Sequence, residues 1–166
     1  MILKIFGSFL IILSSYTYGV LKYGDMKKEV KILKEFSDNL VYLKNEICFA
    51  KPPLCGIIGN LSEKDGILSD FYKSFMQKIS DSADIENKWC ECCETLSLGK
   101  SKKELVKKIS ECFSYADIEG QSAKIDMILA QLASETEKTE EYIEKNAKLY
   151  KNIGLYAGIT AAVLLI

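Results

Sequence analysis

Apolar residues form unbroken runs at the two ends of the chain and recur between them at helical spacing. Residues 5–21 read IFGSFLIILSSYTYGVL and residues 153–166 read IGLYAGITAAVLLI; neither run holds a charge. Between them the chain is rich in Lys and Glu, and its apolar positions fall three and four residues apart, the period of an amphipathic helix. Over 27–50 this places Val30, Leu33, Leu40, Leu43 and Ile47 on one face. Lys51, Pro52 and Pro53 stop that helix, because proline disfavours helical backbone in the residue before it. Pro53 then opens a short helix over 54–61 as its first-turn residue. A polar turn at 62–66 leads to a helix over 68–80 with Phe71, Phe75 and Ile79 in line, and to one over 85–96 that carries the single Trp, Trp89. Leu98 and Gly99 break the pattern, and Ser101 with Glu104 reads as a capping box for a helix over 102–113.

The longest predicted helix covers 117–152. Its apolar stripe of Ile118, Ile125, Ile128, Leu129 and Leu132 thins to Thr136, Thr139, Ile143 and Ala147 as Glu135, Glu137, Glu140, Glu141 and Glu144 enter. Such a helix is about 54 Å long, so its second half is expected to project as a stalk or to pack on the first helix. No run alternates with period two, so no sheet is predicted. The expected fold is all-α, a bundle of five to six helices over 23–152, flanked by transmembrane helices at 1–22 and 153–166.

The first uncharged run spans about 26 Å as a helix, near the lower limit for about 30 Å of hydrocarbon. Lys4 can snorkel to lengthen it, and Tyr16, Tyr18 and Tyr23 suit an interface. A signal peptide is the rival reading, but no A-x-A-like cleavage site follows the run, so a retained anchor is expected. The second run gives about 21 Å. It follows Lys145, Lys148 and Lys151, and it carries Gly154 and Gly158 at GxxxG spacing, which permits close helix contact in lipid. Its natural partner is the first anchor, with Gly7, Ser8 and Ser14. Lys22, Lys27, Lys28, Lys31 and Lys34 follow the first run, so the positive-inside rule places the body in the cytoplasm and both termini outside.

Charge and composition narrow the function. The net charge of −1 over 166 residues implies no bulk attraction to nucleic acid or to anionic lipid. Every basic residue is Lys; Arg and His are absent. The chain therefore lacks an imidazole base or ligand and a guanidinium clamp for phosphate. No phosphate-binding loop motif is present, and no catalytic residues, cofactor or metal are expected. Cys90, Cys92 and Cys93 form one crowded cluster with Cys48, Cys55 and Cys112 elsewhere. Without a second knuckle they read as small buried hydrophobes, ahead of zinc ligands or a redox pair. Glu137, Glu140, Glu141 and Glu144 are a solvated helix face or, more sharply read, an acidic surface for a partner protein.

The order of these features resembles the stage III sporulation protein AB family of endospore-forming bacteria. The residues that carry the resemblance are the first anchor with its Lys-rich sequel at 23–28, LKNEICFAKPPLCGII at 43–58, DIEGQSAKIDMI at 117–128, and KLYKNIGLYAGITAAVLLI at 148–166. The stretch FSYAD before the long helix departs from the Gly-containing turn expected there, and the second run is short. The resemblance implies a body similar to the cytoplasmic domain of the inner-membrane platform protein of type II secretion and type IV pilus systems. It implies a non-enzymatic component of the channel complex between mother cell and forespore, with a secretion-type ATPase and other channel components as partners. Two other readings stay open: a membrane-tethered helical adaptor or sensor that homodimerises through the stripe at 118–147, and a secreted domain with disulfides and a cleaved leader.

Overall fold

The structure is a computed structural model that describes residues 2–49, 53–79, 84–113 and 117–165; inside its helices the side chains of residues 2–6, 8–9, 11–12, 15, 54, 147–155, 157–159 and 161–165 are not described. The described residues hold no strand, as expected. They form α1 (Ile2–Phe49), α2 (Leu54–Glu63), α3 (Ser69–Ile79), α4 (Ile85–Glu94), α5 (Lys100–Lys107), a 3-10 helix (Lys108–Phe113) and α6 (Ile118–Leu165).

The first uncharged run and the helix expected from residue 27 are one continuous α1, and the last run continues α6 to Leu165. Charge changes the solvent a helix prefers but does not end it. Lys22, Tyr23, Gly24, Asp25 and Met26 join the two parts of α1; none is a proline, and the one interior Gly costs about 1 kcal/mol.

The expectation of transmembrane helices is corrected to this extent: among the described residues no helix is long and apolar enough to cross a membrane. The uncharged runs fall short of about 20 residues and pass directly into charged helix. Most of their side chains lie outside the described residues.

The chain divides into two compact units. One joins Met1–Lys28 to Lys138–Ile166, and the other is the helical body, Glu29–Glu137. In the first unit Gly19, Thr139 and Ile143 are buried. The second half of α6 thus packs in a unit with the start of α1 and is not a bare stalk.

In the body, α1 buries Ile32, Leu33, Phe36, Leu40, Leu43 and Ile47, and α6 buries Ile125, Ile128 and Leu132. In the same core lies Trp89, with its ring 5.0 Å from Phe71, 5.1 Å from Phe75, 5.4 Å from Phe113 and 6.2 Å from Phe36. The Trp89 indole N–H donates to the Val106 carbonyl at 3.0 Å, tying α4 to α5. Burying a large apolar side chain contributes about 1.5–3 kcal/mol, so this aromatic group contributes strongly to the body's stability.

Carboxylates of α1 hold the starts of two other helices. Glu35 accepts from the Ile67 and Leu68 N–H groups at 2.9 and 3.0 Å, just ahead of α3. Glu29 accepts from the Gly99 N–H at 2.8 Å and from the Lys102 ammonium at the start of α5. A helix N-terminus leaves N–H groups unpaired and favours negative charge, so both contacts are favourable on two counts. This corrects the capping box: α5 begins at Lys100 with Gly99 as its cap, and no side chain of that residue or of Ser101 fills the role. Pro53 likewise is the cap of α2 rather than its first residue, and its carbonyl accepts from Gly56 and Ile57. Asp84 is a side-chain cap for α4 through the Asn87 N–H, and Asp117 holds the Gly120 N–H in the first turn of α6.

Candidate functional site

The cysteines separate by burial. Cys92, Cys93 and Cys112 lie in the core of the body, where they pack as small apolar residues. Burial pushes the Cys112 thiol up to about 11 and the Cys93 thiol well above the ordinary thiol range, with Cys90 and Cys92 adding to the shift. A buried thiol that resists ionisation is a poor nucleophile and a poor ligand. Cys90 is half-buried, and Cys48 near the end of α1 and Cys55 near the start of α2 are exposed. Among the described residues no group of three or more His, Cys, Asp or Glu side chains could hold a metal ion.

Around Cys90 the surface of α4 carries a depression lined by Asp84, Asn87, Lys88, Glu91, Glu94 and Lys107. Its lysines and glutamates are paired. Lys88 and Lys78 reach Glu91 at 3.0 and 3.4 Å, and Lys107 and Lys103 reach Glu94 at 2.6 and 3.5 Å. The hydrogen bond from Lys88 holds the Glu91 carboxyl below its ordinary range, and that from Lys107 does the same for Glu94. The arrangement ties α3, α4 and α5 together.

The four candidate glutamates divide between the units. Glu137 closes the body, and Glu140, Glu141 and Glu144 belong to the other unit. Glu137, Glu141 and Glu144 are exposed, Glu140 is half-buried, and Glu141 accepts from Lys145 at 3.0 Å. Gly154 and Gly158 fall within α6, but what packs against them lies outside the described residues.

Two further surfaces stand out, the first within the run expected as an anchor and the second missed by the sequence reading. On α1, Leu10, Leu13, Tyr16, Tyr18, Val20 and Leu21 are all exposed, together with Tyr156 on α6. On the body, α6 exposes a row of small or apolar residues, Ala123, Met127, Ala130 and Ser134. Their spacing of four, three and four residues is that of a coiled-coil seam. It was legible in the sequence but hidden behind the stronger stripe on the opposite face. That stripe, at Ile125, Ile128 and Leu132, is buried inside the body and is not available to a second copy.

The family model described as stage III sporulation protein AB matches residues 4–166. The chain belongs to this family. A Bacillus subtilis (strain 168) relative named stage III sporulation protein AB is 26% identical over 169 residues, covering 98% of this chain and 99% of the relative. No solved structure matches the chain. Membership of the stage III sporulation protein AB family agrees with the resemblance drawn from the residues, and it sets the helical body in a sporulation protein.

Proposed function

We propose that the chain is a non-enzymatic membrane component of a secretion-like channel complex between mother cell and forespore, and that its body engages a secretion-type ATPase. The observation that supports this reading best is the exposed apolar surface of α1, from Leu10 to Leu21, in a unit separate from the helical body. The two uncharged ends sit in the mother-cell membrane facing the forespore, the body is cytoplasmic, and both termini lie outside the cytoplasm. Family membership supplies the sporulation context. The exposed glutamates Glu137, Glu141 and Glu144, with Glu140 beside them, are the proposed partner surface, and other channel components bind the membrane-side unit. Gly154 and Gly158 let the second end pack closely on the first.

One observation favours a second reading, a membrane-tethered adaptor that homodimerises: the exposed seam of Ala123, Met127, Ala130 and Ser134.

The test is labelling in intact sporulating cells with a membrane-impermeant maleimide, after Cys48→Ser and Cys55→Ser. A cysteine at Lys64 is expected to stay unlabelled and one added beyond Ile166 to react. Capture of an ATPase by the tagged full chain, weakened by Glu141→Lys with Glu144→Lys, completes the expected result. Labelling at position 64 overturns the topology and with it the ATPase partner.

A further inference from the structure

The chain's near-neutral total conceals a separation of charge between its two units. The unit formed by Met1–Lys28 and Lys138–Ile166 holds eight lysines (Lys4, Lys22, Lys27, Lys28, Lys138, Lys145, Lys148 and Lys151) against four acids (Asp25, Glu140, Glu141 and Glu144), a net of +4. The body, Glu29–Glu137, holds fourteen lysines against nineteen acids, a net of −5. The absence of attraction to anionic lipid inferred from the total of −1 therefore does not apply to the unit that bears the apolar ends.

The positive charge is also placed and unspent. Lys22, Lys27 and Lys28 are exposed on α1 directly after the exposed apolar residues Tyr18, Val20 and Leu21. None of the three lysines has a carboxylate partner among the described residues, whereas lysines of the body such as Lys44, Lys102 and Lys107 do. Lys27 instead stands 4.7 Å over the Tyr23 ring, an aromatic suited to the headgroup level.

We infer that Lys22, Lys27 and Lys28 form a docking surface for anionic lipid headgroups, which draws the paired-end unit to negatively charged membrane while the acidic body is repelled from it. The inference rests on the membrane reading above and names the lipid chemistry that reading leaves open. Lipid is favoured over nucleic acid as the polyanion because the lysines adjoin exposed hydrocarbon rather than a groove. Each lysine near an anionic surface strengthens binding about fivefold, so three together amount to roughly 100-fold, and salt screens the effect.

The experiment is co-flotation of the full chain with phosphatidylcholine vesicles, with and without a minority of phosphatidylglycerol, at low and high salt. The expected result is tighter capture by the phosphatidylglycerol vesicles at low salt, lost at high salt. The triple variant Lys22→Gln, Lys27→Gln, Lys28→Gln should lose roughly 100-fold of that preference, while Lys64→Gln with Lys73→Gln in the body leaves it unchanged. Unaltered Trp89 fluorescence shows that each variant keeps its body folded. Equal, salt-independent capture by both vesicle types overturns the lipid inference and leaves the membrane reading standing. Capture by neither overturns the membrane reading itself. Salt-sensitive retention on duplex DNA without vesicle capture overturns both.

Discussion

At Gly66 the chain has no room for a methyl group. A Cβ built there runs into the carboxylate of Glu35, the group that holds the Ile67 and Leu68 N–H groups. Gly66→Ala therefore moves the flexible end of Glu35 away from the start of α3, and weakening two partly exposed bonds to a charged acceptor should cost about 1–2 kcal/mol. Gly99 provides the control. Its φ of −62° suits any residue, and its Cβ would meet Glu29 at an ordinary 3.6 Å, so Gly99→Ala should cost less than about 1 kcal/mol. Urea unfolding of the full chain followed by Trp89 fluorescence separates the two; equal losses would show that Glu35 is not a working cap. Titration acts at the same scale. The pKa of Cys112 rises from the ordinary thiol value of 9.0 to about 11 on folding. A raised folded-state pKa means stability that is fully present below pH 9 and lost as pH climbs towards 11. Glu91 and Glu94 have the opposite sign. Their lowered pKa values confer stability at neutral pH that is lost as pH falls through the carboxylate range, about pH 4 and below. The melting temperature should thus fall on both sides of neutrality, and Cys112→Ala should flatten part of the alkaline limb, the buried Cys93 thiol contributing the rest in the same direction. Glu91→Gln with Glu94→Gln should flatten the acid limb.

Two neighbours on α6 should behave as opposites. Ile128 is fully buried and Met127 is 45% exposed. Ile128→Ala should cost about 2–5 kcal/mol, whereas Met127→Glu should change stability by no more than about 0.5 kcal/mol. If the second functional reading holds, Met127→Glu also dissolves a dimer detected by light scattering; a dimer that survives it does not use the exposed seam. The buried stripe was legible from its spacing, as were the faces of α1 and α3, because burial against a core imposes the helical period directly. Helix ends were less legible for a specific reason. The starts of α3 and α5 are held by Glu35 and Glu29, residues 33 and 70 positions away in the chain, and no local pattern such as Ser101 with Glu104 reports a cap supplied from so far. The tightening of α5 into a 3-10 helix at Lys108–Phe113 is of the same kind, since the segment's residues suit an α-helix equally well. The candidate partner glutamates could be found from composition, but not their separation by the division after Glu137, which depends on three-dimensional contacts.

For the molecule as a whole, the division into units has a consequence for folding. Every residue of the main apolar core, from Ile32 to Leu132, lies inside Glu29–Glu137, including all of the rings around Trp89. The caps supplied by Glu29 and Glu35 lie inside it too. A fragment of this length exceeds the size at which a single core suffices without metal or disulfide support. The fragment 29–137 should therefore fold alone, with one cooperative urea transition and Trp89 emission like that of the full chain. Its stability should fall below the full chain's by no more than about 1–2 kcal/mol, the scale of fraying at the cut ends of α1 and α6. With the apolar ends and the cluster of Lys22, Lys27 and Lys28 removed, it should also stay off anionic vesicles, because its own charge is −5. A fragment that folds yet still floats with those vesicles would locate lipid contact in the body. A fragment without a cooperative transition would show that the paired ends are part of the folding unit, so that the body is not an independent module held by its ends.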